Sequence, residues 1–566
     1  MEYMTFFAVI VLLVVMIMIT GKIEEKKARH AFRIRLQRQY GSHSDKKYAD
    51  GRMESIVSAV RYKETENTEK EPFLIDDITW NDLEMDRIFQ SLDYTRSAAG
   101  EEALYRWLRM PVFQEEVLQE REKHFRFFAA HEKDRLDYLQ FMADVGRTGK
   151  YSVYDYLDYL DGLQENNCLL TKIIDIVMIL CLISGIAVNG YFLIPFAILL
   201  LYHSFTYMKK KREIEPFLTT FSYFIRILDS VKEFDKMSGE FREEFAKEIS
   251  RIRSDKNVFA SFRRLSFLAL DNHAGSDPME ISKMLLTYLN MIFHLDLIKL
   301  YSMLHTVKEK KQVLIELLRS MGEIEACVSV AYARASFEEY TVPEFVEWQK
   351  DGTMILEAED LFHPLIEHPV KNSFSQRRGM LLTGSNASGK STFLKAVAIN
   401  ALLAQTIHTA CAGEYRGNFF RIYSSMALRD SLQQGESYFI VEIKSIKRIF
   451  DGAERSGVPV LCTIDEVLRG TNTAERIGAS TELLKALSKK GVLCFAATHD
   501  LELTTLLEDY MDNYHFEEMV EGADIIFPYG LQKGCAKGRN AIKLLLAFGF
   551  DQDLVDRAEK LAGGFA

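Results

Sequence analysis

A short glycine-rich segment carries the residue types that bind phosphate groups. Gly384 and Gly389 bracket a loop, and Lys390 and Ser391 follow it directly. This spacing matches G-x-x-x-x-G-K-[ST], in which backbone N–H groups curl around phosphates, the lysine neutralises the β/γ oxygens and the hydroxyl binds Mg²⁺. A strand-like run precedes the loop and a helix-like stretch follows it, as the motif requires. The residues expected to bind ATP here are Gly384, Ser385, Asn386, Ala387, Ser388, Gly389, Lys390, Ser391 and Thr392.

Two carboxylates and an imidazole follow later strand-like runs. Residues 459–464 are mostly apolar, and Asp465 and Glu466 follow them directly. Asp465 is expected to share the Mg²⁺ shell with the loop hydroxyl, and Glu466 to orient or deprotonate the attacking water. A further strand-like run is followed by His499, whose imidazole can reach a γ-phosphate. The candidate catalytic residues of an ATP hydrolase are therefore Lys390, Glu466 and His499, and the candidate metal ligands are Ser391 and Asp465.

The texture of the chain places these motifs in one α/β domain. In residues 351–566 short apolar runs alternate with helical stretches, which predicts a largely parallel sheet. Two mostly α-helical regions, 75–167 and 209–350, come before it. The second has no proline between Pro278 and Pro343, so it can form very long helices, on the order of 90 Å if continuous at about 1.5 Å per residue.

Two apolar regions are long enough to enter a membrane. Residues 4–20 carry no charge and are followed by many lysines and arginines, which favours an uncleaved anchor over a signal peptide. Residues 173–207 are broken only by Asp175 and a turn-like Val-Asn-Gly, and a basic cluster at 209–212 follows them. This pattern favours a transmembrane hairpin over a buried hairpin of a soluble core.

The charge flanks also predict a topology. With both basic clusters in the cytoplasm, an anchor at 1–21 and a hairpin at 168–208 give three spans. The chain is then a multi-pass membrane protein whose helical and ATPase regions are cytoplasmic. Residues 22–74 are predicted to be a cytoplasmic linker, since 39–72 have too little apolar content for a core.

Composition sets limits on the partners. The chain of 566 residues is 48% hydrophobic, so it can bury several cores and still carry membrane segments. A net charge of −11 argues against a protein that coats nucleic acid nonspecifically. The seven cysteines are scattered without a CxxC pair, which is typical of a reducing compartment and supports neither a disulfide framework nor a zinc site.

Four segments together resemble, in order and spacing, the ATPase domain of the MutS family of DNA mismatch-repair proteins. They are Thr383–Thr392, Asp430–Glu442, Ile464–Thr473 and Ala497–His499. Residues 361–366, with their His-Pro pair, look like the family's lead-in to that domain, and 540–545 look like its closing helix. Residues 75–165 resemble the start of the family's helical core. The resemblance implies an ABC-like P-loop ATPase domain of MutS type that follows a mostly α-helical lever/core domain.

The same resemblance implies a homodimer. Each ATP would lie between the P-loop of one subunit and the signature segment of the other, here Gly435, Ser437 and Tyr438. Residues 469–473 would line this seam and pass the nucleotide state to the helices. Family members that read mismatches carry a Phe-x-Glu in an amino-terminal α/β domain, whereas residues 1–74 hold an anchor and a polar segment, so no mismatch-reading domain is expected.

Two functions of different classes remain open. The first is a membrane-anchored MutS-like ATPase that acts on DNA. The second is a membrane mechanochemical protein whose ATP-driven closure regulates a protein partner without DNA. An ATP-driven transporter is disfavoured, because three spans offer no substrate pathway. A basic stripe on the helical arms that includes Lys308, Lys310 and Lys311 would favour nucleic acid, although an ordinary solvated helix face is the simpler expectation for that run.

Overall fold

The computed structural model describes residues 2–44, 46–61, 73–147, 152–162, 169–214, 218–264, 266, 288–348, 353–385, 388–426, 438–455, 457–469, 471–521, 524–536 and 550–563. The closing helix expected at 540–545 lies outside these ranges.

The amino-terminal part of the described chain is helical, as the sequence predicts. Side chains cap several helices at their first turn: the Asp76 carboxylate accepts the N–H of Thr79 at 2.8 Å, and the Ser97 hydroxyl accepts that of Gly100 at 3.0 Å. The helices are α1 (Glu2–Gln39), α2 (Arg52–Arg61), α3 (Asp77–Asp82), α4 (Met85–Leu92), α5 (Ala98–Arg109), α6 (Glu115–Ala130), α7 (Glu132–Val145), α8 (Val153–Gly162), α9 (Leu169–Ala187), α10 (Leu193–Ile214), α11 (Leu218–Ser230), α12 (Gly239–Glu244), α13 (Ala246–Val258), α14 (Ala260–Arg263), α15 (Leu295–Glu309) and α16 (Lys311–Ser336).

Helices α5 and α16 pack closely at the centre of this region. Gly322 of α16 lies against the backbone of α5, where a Cβ atom would stand 2.7 Å from the carbonyl carbon of Ala99. Real side chains do not come this close, so only glycine lets the two backbones meet here. The two helices thereby form the centre on which the neighbouring helices pack.

The expected linker at 22–74 is wrong over its described part. Helix α1 continues through the charged stretch that follows its apolar start, and α2 packs on α5. Leu36 and Ile56 are fully buried, and the buried Arg52 pairs with Glu101 at 2.7 Å. A low apolar content misleads here, because a few apolar residues suffice when each faces the core and the buried charges are paired.

The long helix that the sequence allows between Pro278 and Pro343 is divided. Lys310 leaves the helical region, with φ −112° and ψ 24°, so α15 ends one residue before it and α16 begins one residue after it. At about 1.5 Å per residue the two helices measure roughly 22 and 39 Å. Because α15 packs on α8 whereas α16 packs on α5 and α6, tertiary contacts override the helix propensity at Lys310, where neither a proline nor a glycine interrupts the chain.

The apolar hairpin is formed by α9 and α10, which pack against each other. A short 3₁₀ turn at Gly190–Phe192 connects them. By length and composition alone, each helix can cross a membrane. Only 6% and 11% of the two apolar stretches is buried inside the protein. The hairpin is therefore not buried in a core formed by the described residues of this chain. The segment at 4–20 forms the first half of α1.

The carboxyl-terminal part of the described chain is built on two sheets. Its strands are β1 (Glu344–Phe345), β2 (Leu356–Leu361), β3 (Asn372–Gln376), β4 (Gly379–Thr383), β5 (Glu414–Gly417), β6 (Arg421–Ser425), β7 (Val460–Asp465), β8 (Val492–Ala497), β9 (Met511–Phe516), β10 (Met519–Glu521), β11 (Asp524–Ile526) and β12 (Leu531–Lys533). Its helices are α17 (Lys390–Ile407), α18 (Tyr438–Glu454), α19 (Thr473–Lys489), α20 (Glu502–Leu506) and α21 (Gln552–Gly563). The larger sheet has the order β12-β9-β4-β8-β7-β6, parallel except for β12. The smaller has the order β1-β5-β2-β3, and β10 pairs with β11. The predicted α/β domain is thus confirmed, with a larger sheet that is largely parallel and a smaller one that is mixed.

A buried clasp joins the helical region to α17. Arg334, near the end of α16, donates to the Glu122 carboxylate of α6 at 2.6 and 3.1 Å. It also donates to the His408 carbonyl at 2.7 Å and to the Thr409 hydroxyl at 2.9 Å, just beyond the last residue of α17. The clasp, meaning Arg334, Glu122 and residues 407–409, satisfies carbonyl groups that the end of α17 leaves unpaired.

Candidate functional site

The order of the strands brings three separate segments to one edge of the larger sheet. Strands β4, β8 and β7 are neighbours and run parallel, so their carboxyl ends lie side by side. β4 leads into residues 384–389, hereafter the glycine loop, β8 leads to His499, and β7 ends at Asp465. Ligands of open parallel sheets bind at such an edge.

The described residues of the glycine loop contact the first residue of α17. Gly384 and Gly389 have φ values of 143° and 104°, which favour glycine, and a Cβ at 384 would stand 2.8 Å from the Phe516 carbonyl oxygen. The Lys390 ammonium donates to the carbonyls of Gly384 at 2.8 Å and Ser385 at 2.7 Å. Burial lowers the pKa of this lysine, although nearby carboxylates oppose the shift. The Lys390 ammonium is thus held inside the loop.

The expected pair of metal ligands is in contact. The Ser391 hydroxyl, in the first turn of α17, donates to Asp465 Oδ2 at the end of β7. A hydroxyl and a carboxylate are hard oxygen ligands that suit Mg²⁺, which keeps several water molecules of its own. Among the described residues no three His, Cys, Asp or Glu side chains are grouped to hold a metal ion.

Glu466 is held on both carboxylate oxygens. Its Oε1 lies 2.8 Å from His499 Nε2, and its Oε2 lies 3.0 Å from Arg469 Nε. Glu466 takes a left-handed conformation, with φ 58°, and its N–H donates to the Ala497 carbonyl of β8 at 3.0 Å. The N–H of Arg469 donates in turn to the buried Glu442 at 3.2 Å. The carboxylate therefore has a fixed direction at the sheet edge.

A cavity of about 480 Å³ opens beside the glycine loop. One part of its wall consists of Ser388 to Phe393 with Asp465 and Glu466, and the other part is largely apolar and aromatic. The members of this second part are Leu361, Phe362, His363, Ile366, His368, Pro369, Val370, Asn372, Ala396, Phe516 and Tyr529. The cavity thus combines a polar wall at the loop with a wall that suits a flat, apolar ring.

Two side chains set the shape of the apolar wall. His363 accepts the N–H of Leu365 on Nδ1 at 3.2 Å, and burial lowers its pKa to about 4, so this imidazole is neutral at pH 7. The Tyr529 ring lies 3.0 Å from where a Cβ of Gly389 would be. Asn372 fixes that tyrosine, because its amide donates to the Tyr529 carbonyl at 3.2 Å. No sequence motif marks Tyr529 or Asn372, which are 157 positions apart.

Most of the candidate residues meet at this place. Those that the structure brings together are Gly384, Ser385, Ser388, Gly389, Lys390, Ser391, Thr392, Asp465, Glu466 and His499. Asn386, Ala387, Gly435 and Ser437 lie outside the described residues. Tyr438 begins α18, and the Asn472 side chain caps α19 by accepting the N–H of Glu475 at 3.0 Å.

Two of the three lysines named for a basic stripe on the helical arms are paired with carboxylates. Lys310 lies 2.8 Å from Glu309, and Lys311 lies 3.3 Å from Asp158. Nearby arginines are paired as well: Arg253 contacts Asp235. Their charges are balanced locally, as on an ordinary solvated helix face.

Comparison with known proteins places the sheet-bearing part of the chain. The family model of MutS domain V matches residues 380–565. The DNA mismatch repair protein MutS of Thermotoga maritima is 30% identical over 270 residues, which cover 46% of this chain and 33% of that protein. The protein of the same name from Pseudothermotoga lettingae is 29% identical over 268 residues, 45% of this chain and 32% of that protein. The chain therefore spans about a third of the length of the curated relatives it matches. These matches confirm the resemblance of the four motifs, and over residues 380–565 the chain belongs to the MutS domain V family.

Proposed function

We propose that the chain is a Mg²⁺-dependent ATP hydrolase of the P-loop type. The observation that carries the proposal is the meeting, at one sheet edge, of the Lys390 ammonium, the Ser391–Asp465 pair and the Glu466–His499 pair beside one cavity. Phosphoryl transfer needs positioning and charge neutralisation more than covalent chemistry, and these groups supply both.

Each residue has a role in this proposal. The N–H groups of the glycine loop and Lys390 bind the β- and γ-phosphates, after the ammonium turns from the loop carbonyls to the phosphate oxygens. Ser391 and Asp465 would hold Mg²⁺, which would neutralise charge on the phosphates. Glu466 orients the attacking water and accepts its proton, and His499 fixes the direction of that carboxylate. The buried hydroxyl of Ser388, which has no hydrogen-bond partner among the described residues, supports a polar ligand in the loop.

The apolar wall suits the base of the nucleotide. Tyr529 presents a flat ring next to the loop, and Ile366 and Pro369 line the same cavity. Neutral His363 adds a hydrogen-bonding edge without a charge. These features support adenine binding at this wall, with the phosphates directed to the glycine loop.

The dimer and the membrane attachment belong to the same proposal. By family resemblance, Gly435 and Ser437 of one subunit would meet the phosphates held by the other, so that ATP joins two subunits and hydrolysis releases them. The exposed apolar hairpin of α9 and α10 supports two membrane spans, and the apolar start of α1 would supply the third that the sequence predicts. The helical core and the ATPase domain would then lie in the cytoplasm.

The process served is proposed to be a mismatch-repair-like action on DNA, because the matched relatives carry that name. A second candidate is an ATP-driven protein that moves its helical arms to regulate a membrane protein partner. The locally paired cations Lys310, Lys311 and Arg253 favour this second candidate.

The test uses the full chain in detergent. ATPase rates of wild type and Glu466→Gln are measured with Mg²⁺ or with a chelator, and with homoduplex, mismatched or branched DNA at low and moderate salt. Glu482→Gln is the control, since Glu482 is an exposed residue of α19. Mg²⁺-dependent hydrolysis that disappears in Glu466→Gln and persists in the control is expected. Equal rates in all three proteins would exclude the proposed site.

DNA then separates the two candidates. Stimulation by one DNA structure that survives moderate salt would support action on DNA, because nonspecific phosphate contacts weaken steeply with salt. Clear basal hydrolysis that no DNA alters would reject DNA and favour a protein partner.

A further inference from the structure

Asp500, the residue after His499, forms an ion pair with Arg476 through two hydrogen bonds. Arg476, in the first turn of α19, donates from Nε to Asp500 Oδ2 at 2.8 Å and from Nη2 to Asp500 Oδ1 at 2.6 Å. The two side chains are 24% and 14% exposed. Paired parallel hydrogen bonds between a guanidinium and a carboxylate fix direction as well as distance. Asp500 is therefore held in one orientation relative to α19.

The backbone on both sides of His499 is fixed. The N–H of Asp500 donates to the Thr498 hydroxyl at 3.0 Å, and the buried Thr498 donates its own N–H to the Leu382 carbonyl of β4 at 2.9 Å. The N–H of Leu503 donates to the Asp500 carbonyl at 3.2 Å. His499 thus stands between one residue tied to β4 and another tied to α19.

Helix α19 leads back to Glu466 along the chain. The N–H of Arg476 donates to the Asn472 carbonyl at 2.9 Å, and the Ser480 hydroxyl donates to the Val467 carbonyl at 3.1 Å, so the start of α19 is bound to the residues just after Glu466. The hydrogen bond to Asp500 raises the pKa of Arg476, and the Glu466 carboxylate contributes to this shift. The ion pair therefore closes a ring that contains Glu466, His499, Asp500 and Arg476.

We propose that Arg476 and Asp500 are positioning residues that hold the His499 imidazole against Glu466. This role rests on the proposed ATPase function, and it deepens it. Without the pair, the segment around His499 can turn away, and Glu466 loses the contact at 2.8 Å that fixes one of its oxygens. Nucleotide binding is spared, because neither residue lines the cavity. An ordinary surface ion pair would affect neither the chemical step nor its pH dependence.

The experiment compares four forms of the full chain in detergent with wild type. Asp500→Asn removes the charge, Arg476→Lys keeps the charge without the fork, and Arg476→Asp/Asp500→Arg reverses the pair. Glu482→Gln is the control, because Glu482 forms an exposed ion pair with Lys485 on the same helix. The readouts are kcat and KM for ATP, the pH profile of kcat, and amide hydrogen exchange of the peptide that contains residues 497–503.

The expected result is a loss of kcat of about fivefold or more in Asp500→Asn, a smaller loss in Arg476→Lys, and at most a twofold change in KM. The pH profile of kcat shifts and exchange around His499 becomes faster in both variants. The reversed pair recovers part of kcat, and the control matches wild type.

The proposal is overturned if kcat and its pH profile stay at the control level. It is equally overturned if kcat falls while exchange around His499 is unchanged, or if the reversed pair recovers nothing. Should wild type itself hydrolyse no ATP, the ATPase proposal fails first. Hydrogen exchange then still decides whether the pair holds this segment, and unchanged exchange rejects it.

Discussion

The clasp at the end of α17 leads to a prediction about stability. Replacement of Glu122 by glutamine keeps the size of the side chain and removes its charge. Arg334, only 5% exposed, then keeps a buried guanidinium without a carboxylate. Removal of one partner from a buried ion pair destabilises a protein by roughly 3–5 kcal/mol, because the remaining charge is left uncompensated.

The titration of Glu122 gives an independent magnitude. Burial opposes its ionisation, but the nearby His408 imidazole and hydrogen bonds from Arg334 and Arg126 outweigh burial and lower its pKa to about 2 from an ordinary 4.5. At about 1.36 kcal/mol per unit, this corresponds to roughly 3 kcal/mol of stabilisation. Since the folded pKa lies below the unfolded one, the stabilisation is complete above about pH 4.5 and is lost as pH falls toward 2. Both arguments therefore place the loss at neutral pH near 3 kcal/mol.

The assay is denaturant unfolding of the full chain in detergent at pH 7, followed by tryptophan fluorescence. Trp107 is a suitable probe, because the Arg121 guanidinium lies 4.1 Å from its ring centre. Glu120→Gln on the same helix is the control, since Glu120 is exposed and loses at most about 0.5 kcal/mol. Glu122→Leu/Arg334→Leu should recover part of the loss, because no charge of this pair remains buried, although the carbonyls at the end of α17 lose their donor. A loss below about 1 kcal/mol in Glu122→Gln, or a double variant no better than the single one, would contradict the reasoning.

Three further predictions test the site, the helical centre and the hairpin. Lys390→Ala should abolish ATP hydrolysis and weaken binding of a fluorescent ATP analogue at least tenfold, because the loop loses the ammonium that it holds. The control Lys485→Ala should bind the analogue as wild type does. Unchanged binding in Lys390→Ala would reject the nucleotide site. Gly322→Ala should lower the unfolding free energy by about 1–3 kcal/mol, since its Cβ meets the α5 backbone. Gly478→Ala in α19, where a Cβ meets nothing within 4 Å, should stabilise the protein by up to about 1 kcal/mol. Equal effects of the two variants in denaturant unfolding would mean that α5 and α16 are not packed as described. Leu180→Arg, in the middle of α9 at an exposed position, should cost about 2.5–3.5 kcal/mol of membrane insertion and move protein from the membrane fraction to aggregates, whereas Leu180→Ala should not; full retention of Leu180→Arg in the membrane fraction would argue against a span here.

Local patterns were enough to predict the centre of the site. The glycine loop, the two carboxylates after β7 and the histidine after β8 each follow a short apolar run, and parallel strands bring such ends together. The contacts of Ser391 with Asp465 and of Glu466 with His499 follow from that rule once β4, β8 and β7 are neighbours.

Features that depend on contacts between distant residues could not be predicted. Tyr529 and Asn372 meet across 157 positions, and Arg476 and Asp500 meet across 24 positions, without any periodic pattern. The break at Lys310 has the same origin, because it depends on which neighbours α15 and α16 pack against. The prediction of a linker fails over residues 22–44 and 46–61 for a similar reason: their average polarity hides the few side chains that face the core.

The contacts between helices also limit how the two ends of the molecule can move. At one end, α10 is held to the start of α15, because the Tyr207 hydroxyl donates to Asp296 at 2.7 Å and His294 Nε2 donates to the His203 carbonyl at 2.9 Å. At the other end, the clasp holds α16 to α17, the helix that begins at the glycine loop. A movement of α17 as a rigid body must therefore either carry the end of α16 with it or break the clasp. Breaking the clasp leaves the buried charge of Arg334 without a partner. The first course is favoured by the same roughly 3 kcal/mol that Glu122→Gln removes. In Glu122→Gln, a movement at the glycine loop should consequently no longer be carried to the apolar hairpin, even under conditions in which the protein remains folded.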